Sequence, residues 1–369
     1  MQDVVVVGAG LIGCGVAYEL AKRGASVTVY DRAQPARAAS WAGAGMLAPY
    51  SEEVVDPALL ALCAASLRAY PAFVEELRER TGVDAQLRHE GTLHVAFDDA
   101  AACGLAAQCE AFGRNGAVAS VLDRDATLAR EPMLGGNVRG AVYVANEAHV
   151  DNRRLGRALV AACTDAGVRF ERTAGVVLEA DARRVRGIRT EHGFLAAATV
   201  VNAAGAWAGG LPGVPATARI AVRPVAGEML ALAVPKGFTR GLVWSEHVYL
   251  VPRDDGRLLI GATSIEREFD VRVTAHGVAS LLAVALRVAP VLGTFALVET
   301  WAGLRPASHD GRPYLGRTHI EGYVVAAGHY RNGILLTPVT AQAIAALIAG
   351  ERPSVELGAF DPQRAPEAA

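Results

Sequence analysis

The chain has 369 residues, 52% hydrophobic and 20% charged, which gives room for two domains with sizeable cores and rules out disorder as the main state. Thirty-six Lys and Arg set against 38 Asp and Glu leave a formal charge of -2, so the balance carries no electrostatic footprint for nucleic acid or an anionic membrane.

Val4-Val5-Val6-Val7 reads as a strand buried on both faces, and Gly8-Ala9-Gly10-Leu11-Ile12-Gly13 follows at once. Cys14 to Arg23 has helical spacing and stops at Gly24; Ser26 to Tyr30 is a second strand closed by Asp31. This is a β-α-β unit with G-x-G-x-x-G at its first turn. Gly8 allows the tight turn, Gly10 removes the Cβ that would block a pyrophosphate, and Gly13 lets helix and strand pack closely. The helix N-terminus offers N–H groups to phosphates, and Asp31 stands where a carboxylate accepts from ribose hydroxyls. The motif does not by itself separate FAD from NAD.

Ala38 to Pro49 is rich in small residues and has neither a helix nor a strand period. Its Ala and Gly positions let backbone approach a flat ring system. A surface loop is disfavoured because Trp41, Met46 and Leu47 would be exposed in it. Pro57 to Arg80 reads as a long helix that Pro71 should kink or split, ended by Thr81-Gly82. Gly91 to Phe97 is a strand, Asp98 to Asn115 a helix, and Arg153 to Ala166 a helix capped by Gly167. Phe170 to Glu179 and Val185 to Thr190 look like paired strands, and Val200 to Trp207 is a buried strand running into a glycine turn.

Arg219 to Ala233, Val248 to Pro252 and Arg257 to Gly261 read as a separate sheet, with Asp254-Asp255-Gly256 as a hairpin turn. Ala275 to Val288 is a helix, Tyr323 to Ala327 a strand and Pro338 to Ala349 the last helix; residues 351–369 look like a loose tail. The order predicts an α/β fold: a Rossmann-like dinucleotide domain (1–80, 148–212, 299–355) interleaved with an α+β, antiparallel-sheet substrate domain (81–147, 213–298), then a tail (356–369).

The C-terminal third holds Trp301-Ala302-Gly303-Leu304-Arg305-Pro306, Asp310 to Arg317, and Ala327-Gly328-His329-Tyr330-Arg331-Asn332-Gly333-Ile334-Leu335. With the glycine motif, Gly43-Ala44-Gly45-Met46-Leu47 and Asn202-Ala203-Ala204-Gly205-Ala206-Trp207, these resemble the D-amino-acid oxidase-like FAD family over nearly the whole chain. Within that family they are most similar to the bacterial glycine oxidases of thiamine biosynthesis.

The resemblance implies that Arg305 clamps a substrate carboxylate, that Tyr249 of Tyr249-Leu250-Val251-Pro252-Arg253 donates to it, and that Arg331 approaches substrate and flavin. It places Gly8, Gly10, Leu11, Ile12, Gly13, Asp31, Arg32, Ala39, Ser40, Ala44, Gly45, Met46 and Gly205 at FAD. The stretch His329, Tyr330, Arg331, Asn332, Gly333, Ile334 and Leu335 joins them, and a residue near Val176 should touch the adenine side. Arg suits a carboxylate because its planar fork makes two parallel charge-assisted bonds and keeps its proton; a structural ion pair is the competing reading of Arg305. An ordinary half-buried strand tyrosine is the competing reading of Tyr249.

Two departures stand out. Asp31 is one methylene shorter than the Glu more usual in such FAD enzymes, and Ala262-Thr263-Ser264 leaves side-chain preference open. Related sarcosine oxidases attach FAD to a cysteine in the C-terminal third; none follows Cys163 here, so FAD should be non-covalent. The implied reaction is oxidative deamination of glycine and small amines or D-amino acids, with hydride transfer from Cα to flavin N5. Dioxygen reoxidation would give hydrogen peroxide, and the imine would yield glyoxylate and ammonia or serve thiazole formation in thiamine biosynthesis. A sarcosine or D-amino-acid oxidase, a quinone-linked dehydrogenase and a non-catalytic dinucleotide binder stay open as alternatives. A homotetramer is implied by resemblance only.

Other chemistry finds no pattern. The five cysteines (Cys14, Cys63, Cys103, Cys109, Cys163) are odd in number and never C-x-x-C, which fits reduced thiols in a cytoplasmic protein. The nine histidines show no metal-site spacing, and neither G-x-S-x-G nor a P-loop occurs. Asp3 stands where a secretory signal would be basic, and no uninterrupted apolar run reaches the roughly 18–20 residues of a membrane span.

Overall fold

The computed structural model describes residues 4–52, 54–181, 183–245 and 248–364. Asp3 and the last five residues of the expected tail lie outside them. A six-stranded sheet runs in the order Tyr314–Arg317, Tyr323–Ala327, Thr199–Asn202, Val4–Val7, Val27–Asp31, Arg169–Arg172. It is parallel except for the first pair.

The four valines explain its layering. Val4 and Val6 point into a core shared with the helices Leu11–Lys22, Pro57–Thr81, Asn152–Asp165 and Thr337–Ala349. Val5 and Val7 point the other way, onto Leu178, Val185 and Ile188 of a three-stranded antiparallel sheet (Val177–Ala180, Val185–Thr190, Gly193–Ala196). A strand covered on both faces needs an unbroken apolar run rather than alternation.

The second main sheet has eight strands, ordered Leu297–Ser308, Val222–Ala233, Arg257–Gly261, Tyr249–Pro252, Leu242–Trp244, Thr92–Ala96, Gly140–Val144, Ala119–Asp123. Its period of two sorts side chains cleanly. Leu230 and Leu232 face the helix Ala275–Val288, while Met229 and Ala231 face Ala42, Ala44 and Ala48 of the small-residue segment. The strand Leu297–Ser308, placed by the sequence boundaries with the dinucleotide segments, lies along the edge of this sheet.

Several expectations change. The helix Pro57–Thr81 runs through Pro71 without a break. Pro71 sits on its exposed side, where water can take the carbonyl that loses its partner. This helix is long and apolar enough to cross a membrane by composition alone. Its buried face nevertheless packs in the core, and Ser66 and Tyr70 donate to the carbonyls of Leu335 and Ile334 at 2.6 Å. The expected Phe170–Glu179 strand is two strands in different sheets, Arg169–Arg172 and Val177–Ala180. The C-terminal stretch is not loose up to Arg364: Phe360 is buried, and Arg364 forms a two-pronged ion pair with Asp310 at 2.7 and 2.8 Å.

Candidate active site

A cavity of about 470 Å³ runs between the two main sheets, from the glycine turn to the strands bearing Tyr249 and Arg305. The glycine turn is shaped by contact. Gly8 has φ +106°, and a Cβ there would lie 2.4 Å from the Ala203 carbonyl oxygen; one on Gly13 would lie 1.8 Å from the Gly8 oxygen. Gly10 differs, because a Cβ would meet nothing closer than Ser40 Oγ at 3.3 Å and its bare face is turned to the cavity. A groove left bare by Gly10, at a helix N-terminus, fits a pyrophosphate. Ser40 also occupies part of that terminus, since its Oγ accepts the Leu11 N–H at 2.9 Å.

Asp31 lies on the cavity wall, its carboxylate accepting from the Ala9 and Ala33 N–H groups at 2.7 and 2.9 Å. Arg32 stacks on Trp207, 3.9 Å from the ring centroid. Thr173, Ala174, Gly175 and Val176 all line the same end as Asp31 and Arg32. Leu11, Ile12, Ala39, Ser40, Ala44, Gly45, Met46 and Gly205 line the wall, as do His329 through Ile334. Gly13 and Leu335 do not: Gly13 packs helix on strand, and Leu335 is buried in the helical core.

The segment Ala38–Pro49 is not period-free. It folds as a short helix, Ala39–Ala42, and a two-residue strand, Met46–Leu47, paired with Ala148–His149. Trp301 Nε1 donates to the Ala42 carbonyl at 2.9 Å and fastens it to the eight-stranded sheet.

At the opposite end, cross-strand register brings Tyr249, Gly261, Met229 and Trp301 into one row, with Gly227 facing Gly303 and Val225 facing Arg305. Both polar side chains lean over glycines. A Cβ on Gly227 would lie 2.3 Å from Arg305 Nη1, and one on Gly261 would lie 2.7 Å from the Tyr249 ring. Arg305 Nη1 donates to the Thr263 carbonyl at 3.1 Å, and no carboxylate pairs with it among the described residues. A structural ion pair is therefore not what holds it. Burial pushes the Tyr249 hydroxyl above its ordinary pKa against the opposing pull of the neighbouring Arg305 and Arg331 charges, so it is protonated and able to donate; it also makes a long 3.9 Å approach to Met229 Sδ.

Arg331 reaches Glu52 Oε2 at 3.3 Å across the cavity wall. Sequence reading missed Glu52, which carries no motif and is placed by distant contacts: Glu147 accepts from the Tyr50 and Ser51 N–H groups at 2.9 and 2.8 Å and from Ser51 Oγ. His329 is buried, 3.2 Å from Thr340 Oγ1, and burial alone lowers its pKa to about 3. It is neutral and structural near pH 7. Tyr330 beside it has φ +47°, a left-handed backbone at the cavity edge. All five cysteines are free thiols, and among the described residues no His/Cys/carboxylate group could hold a metal.

The sequence profile of the family described as DAO, FAD dependent oxidoreductase, matches residues 3–347. A glycine oxidase from Geobacillus kaustophilus is 37% identical, across 97% of this chain and 96% of that protein. The bifunctional protein ThiO/ThiG of Synechocystis is 36% identical over 98% of this chain, and the match covers 54% of that longer protein. The crystal structure of the G. kaustophilus glycine oxidase superposes with a TM-score of 0.92 at 35% identity, covering 99% of this chain and all of that one.

Proposed function

The chain belongs to the FAD dependent oxidoreductase family, and on that premise we propose that it is an FAD-dependent oxidase of glycine and other small amino acids. The observation that carries the substrate class is Arg305: a guanidinium on the cavity wall, bonded to neutral carbonyls and lacking a carboxylate partner among the described residues. Such a group is completed by an anionic ligand, and a carboxylate matches its fork.

FAD held along the glycine turn, Asp31 and the segment Ala39–Met46 would supply a two-electron acceptor for the hydride of the substrate carbon and a route for those electrons to dioxygen, giving hydrogen peroxide; the oxidised substrate would be an imine that water converts to an oxo acid and ammonia. The chain's own residues bind and orient. Arg305 and the protonated Tyr249 grip the carboxylate and fix which carbon faces the ring. Arg331, restrained by Glu52, closes the same end of the cavity. No side-chain base is assigned, because the buried neutral His329 is held by Thr340 and lies outside this grip. Anchoring converts an encounter into a preorganised one, which is where most of the rate would arise.

The six-stranded sheet with its helices would carry FAD, and the eight-stranded sheet the substrate. The likeness to ThiO/ThiG favours a role in thiamine biosynthesis, where the imine is the useful product. A cytoplasmic homotetramer belongs to the same reading.

The test is anaerobic flavin bleaching by glycine, sarcosine, D-alanine and a bulky D-amino acid, followed by admission of air. Rapid bleaching by glycine, with peroxide on reoxidation, is expected. Bleaching by the bulky amino acid alone, or reoxidation by a quinone and not by oxygen, overturns the reading.

A further inference from the structure

The cavity-lining segment Ala39–Met46 is held from behind by two side chains that the chemistry above leaves unused. The Arg253 side chain is 3% exposed. Its Nη2 donates to the Ala44 carbonyl at 2.7 Å and to Asn152 Oδ1 at 3.1 Å, and its Nη1 to the Pro252 carbonyl at 3.1 Å. Asn152 turns its Nδ2 to the carbonyls of Ser40 and Trp41 at 2.8 and 3.0 Å. Every oxygen Arg253 bonds is neutral. The nearest carboxylate, Asp151, stands 3.9 Å away, the same distance from Arg154 and Arg257, and already caps its helix by accepting from the Arg153 and Arg154 N–H groups.

In a trans peptide the carbonyl and the following N–H point in opposite directions. With the Ala44 oxygen fixed outward on Arg253, the Gly45 N–H is turned towards the cavity that Gly45 lines. It has no protein acceptor among the described residues. Position 45 has room for glycine alone, for its φ is +75° and a Cβ would lie 2.0 Å from the Val150 oxygen.

We propose that Arg253 is a positioning residue for the flavin: it aims the Gly45 N–H at the ring and sets a buried positive charge one peptide behind it, favouring the electron-rich reduced ring. A charge near the ring is one of the levers by which a protein tunes a flavin. Burial lowers the Arg253 pKa to about 10, so the charge is present at neutral pH. The inference rests on FAD occupying this cavity and is independent of which amine is oxidised.

The test uses the holoproteins R253M and R253K, read by flavin midpoint potential and by titration with sulfite, an anion that adds to oxidised flavin and leaves negative charge on the ring. R253M should shift the potential negative and weaken sulfite binding about tenfold or more, with R253K within about threefold of wild type, as expected for a charge acting through protein rather than water. Both variants should hold FAD less tightly, because neither reproduces the fork on Ala44 and Asn152. A wild-type potential and sulfite affinity in R253M overturn the proposal. If R253M retains no FAD, R253K decides: weakened FAD binding with near-wild-type sulfite affinity supports the proposal, and a tenfold loss of sulfite affinity, or unchanged FAD binding, overturns it. Glycine turnover enters none of these readouts, so a wrong substrate assignment leaves the result legible.

Discussion

The reading of Arg305 can be challenged without touching Arg305. Gly227 lies beneath its guanidinium, and a Cβ built there would stand 2.3 Å from Nη1, 2.5 Å from Nη2 and 2.6 Å from Cζ, where ordinary contact begins at 3.4 Å. Gly227→Ala must therefore move the guanidinium by about 1 Å, a misplacement of the size that costs on the order of 100-fold in rate. The strand backbone at 227 is not in the left-handed region. The atoms displaced belong to the far end of a flexible side chain, so folding should be spared and the added Cβ should stiffen the unfolded chain slightly. Steady-state peroxide production with glycine should show kcat/KM reduced by about 100-fold, about 2.7 kcal/mol, with most of the loss in KM. The flavin spectrum and Tm should stay near wild type. A variant with wild-type kcat/KM for glycine would refute the assignment of Arg305 as the carboxylate grip.

Tyr249→Phe removes a hydroxyl that lies beside the Arg305 guanidinium and approaches Met229 Sδ only at 3.9 Å, so Tm should hold while kcat/KM for glycine falls about 10- to 100-fold, the range for a hydrogen bond to a charged group; unchanged kinetics would return Tyr249 to plain packing. Gly8→Ala forces a side chain onto φ +106° and onto the Ala203 carbonyl, so the purified protein should be colourless and gain no flavin absorbance on adding FAD; a yellow variant contradicts the cradle. Burial raises the Asp310 carboxyl, but the hydrogen bonds and charge of Arg364 outweigh it and hold the pKa at about 2. That depressed folded-state value contributes stability above about pH 4 that is lost as pH falls towards 2. Asp310→Asn should cost about 1–2 kcal/mol at neutral pH, and its Tm deficit should close over that acid window; a deficit independent of pH disproves the linkage.

Legibility in the sequence followed the range of the forces involved. The opening strand, glycine turn and helix were readable because steric demands at Gly8 and Gly13 act within a few residues. The hairpin at Asp254-Asp255-Gly256 was readable for the same reason, and Gly256 has φ +86°. The strand Leu297–Ser308 was seen only as the W-x-G-x-R motif, since the row facing the cavity mixes Trp301, Gly303 and Arg305 and hides the period of two. Pro71 misled because its cost depends on which side of the helix meets water. Glu52, Asn152 and Arg253 are invisible locally. Glu52 is placed by Glu147, 95 residues on, and Arg253 takes its meaning from a carbonyl 209 residues away.

On the proposed function, the edge strand Leu297–Ser308 would explain how so small a substrate is aimed. Trp301, Gly303 and Arg305 stand on one face at intervals of two residues, about 6.6 Å apiece along a strand. Trp301 ties down the Ala42 carbonyl, and Gly303 admits Ala42 itself, whose Cβ would sit 2.4 Å from a Cβ at 303. The segment that lines the flavin side of the cavity is therefore seated on the same backbone that projects Arg305. With Arg305 gripping the carboxylate as proposed, flavin and substrate carboxylate would be referenced to one ladder, hydrogen-bonded to Val222–Ala233 over nearly its whole length, and not to two domains free to move apart. A glycine molecule offers only its carboxylate and amine for recognition, so its carbon can be aimed only if the carboxylate grip keeps a fixed distance from the ring. Shared seating on one strand would provide that distance. It also accounts for the bare Cα atoms at 227, 261 and 303: each missing Cβ is space taken by Arg305, by Tyr249 or by the flavin-side segment.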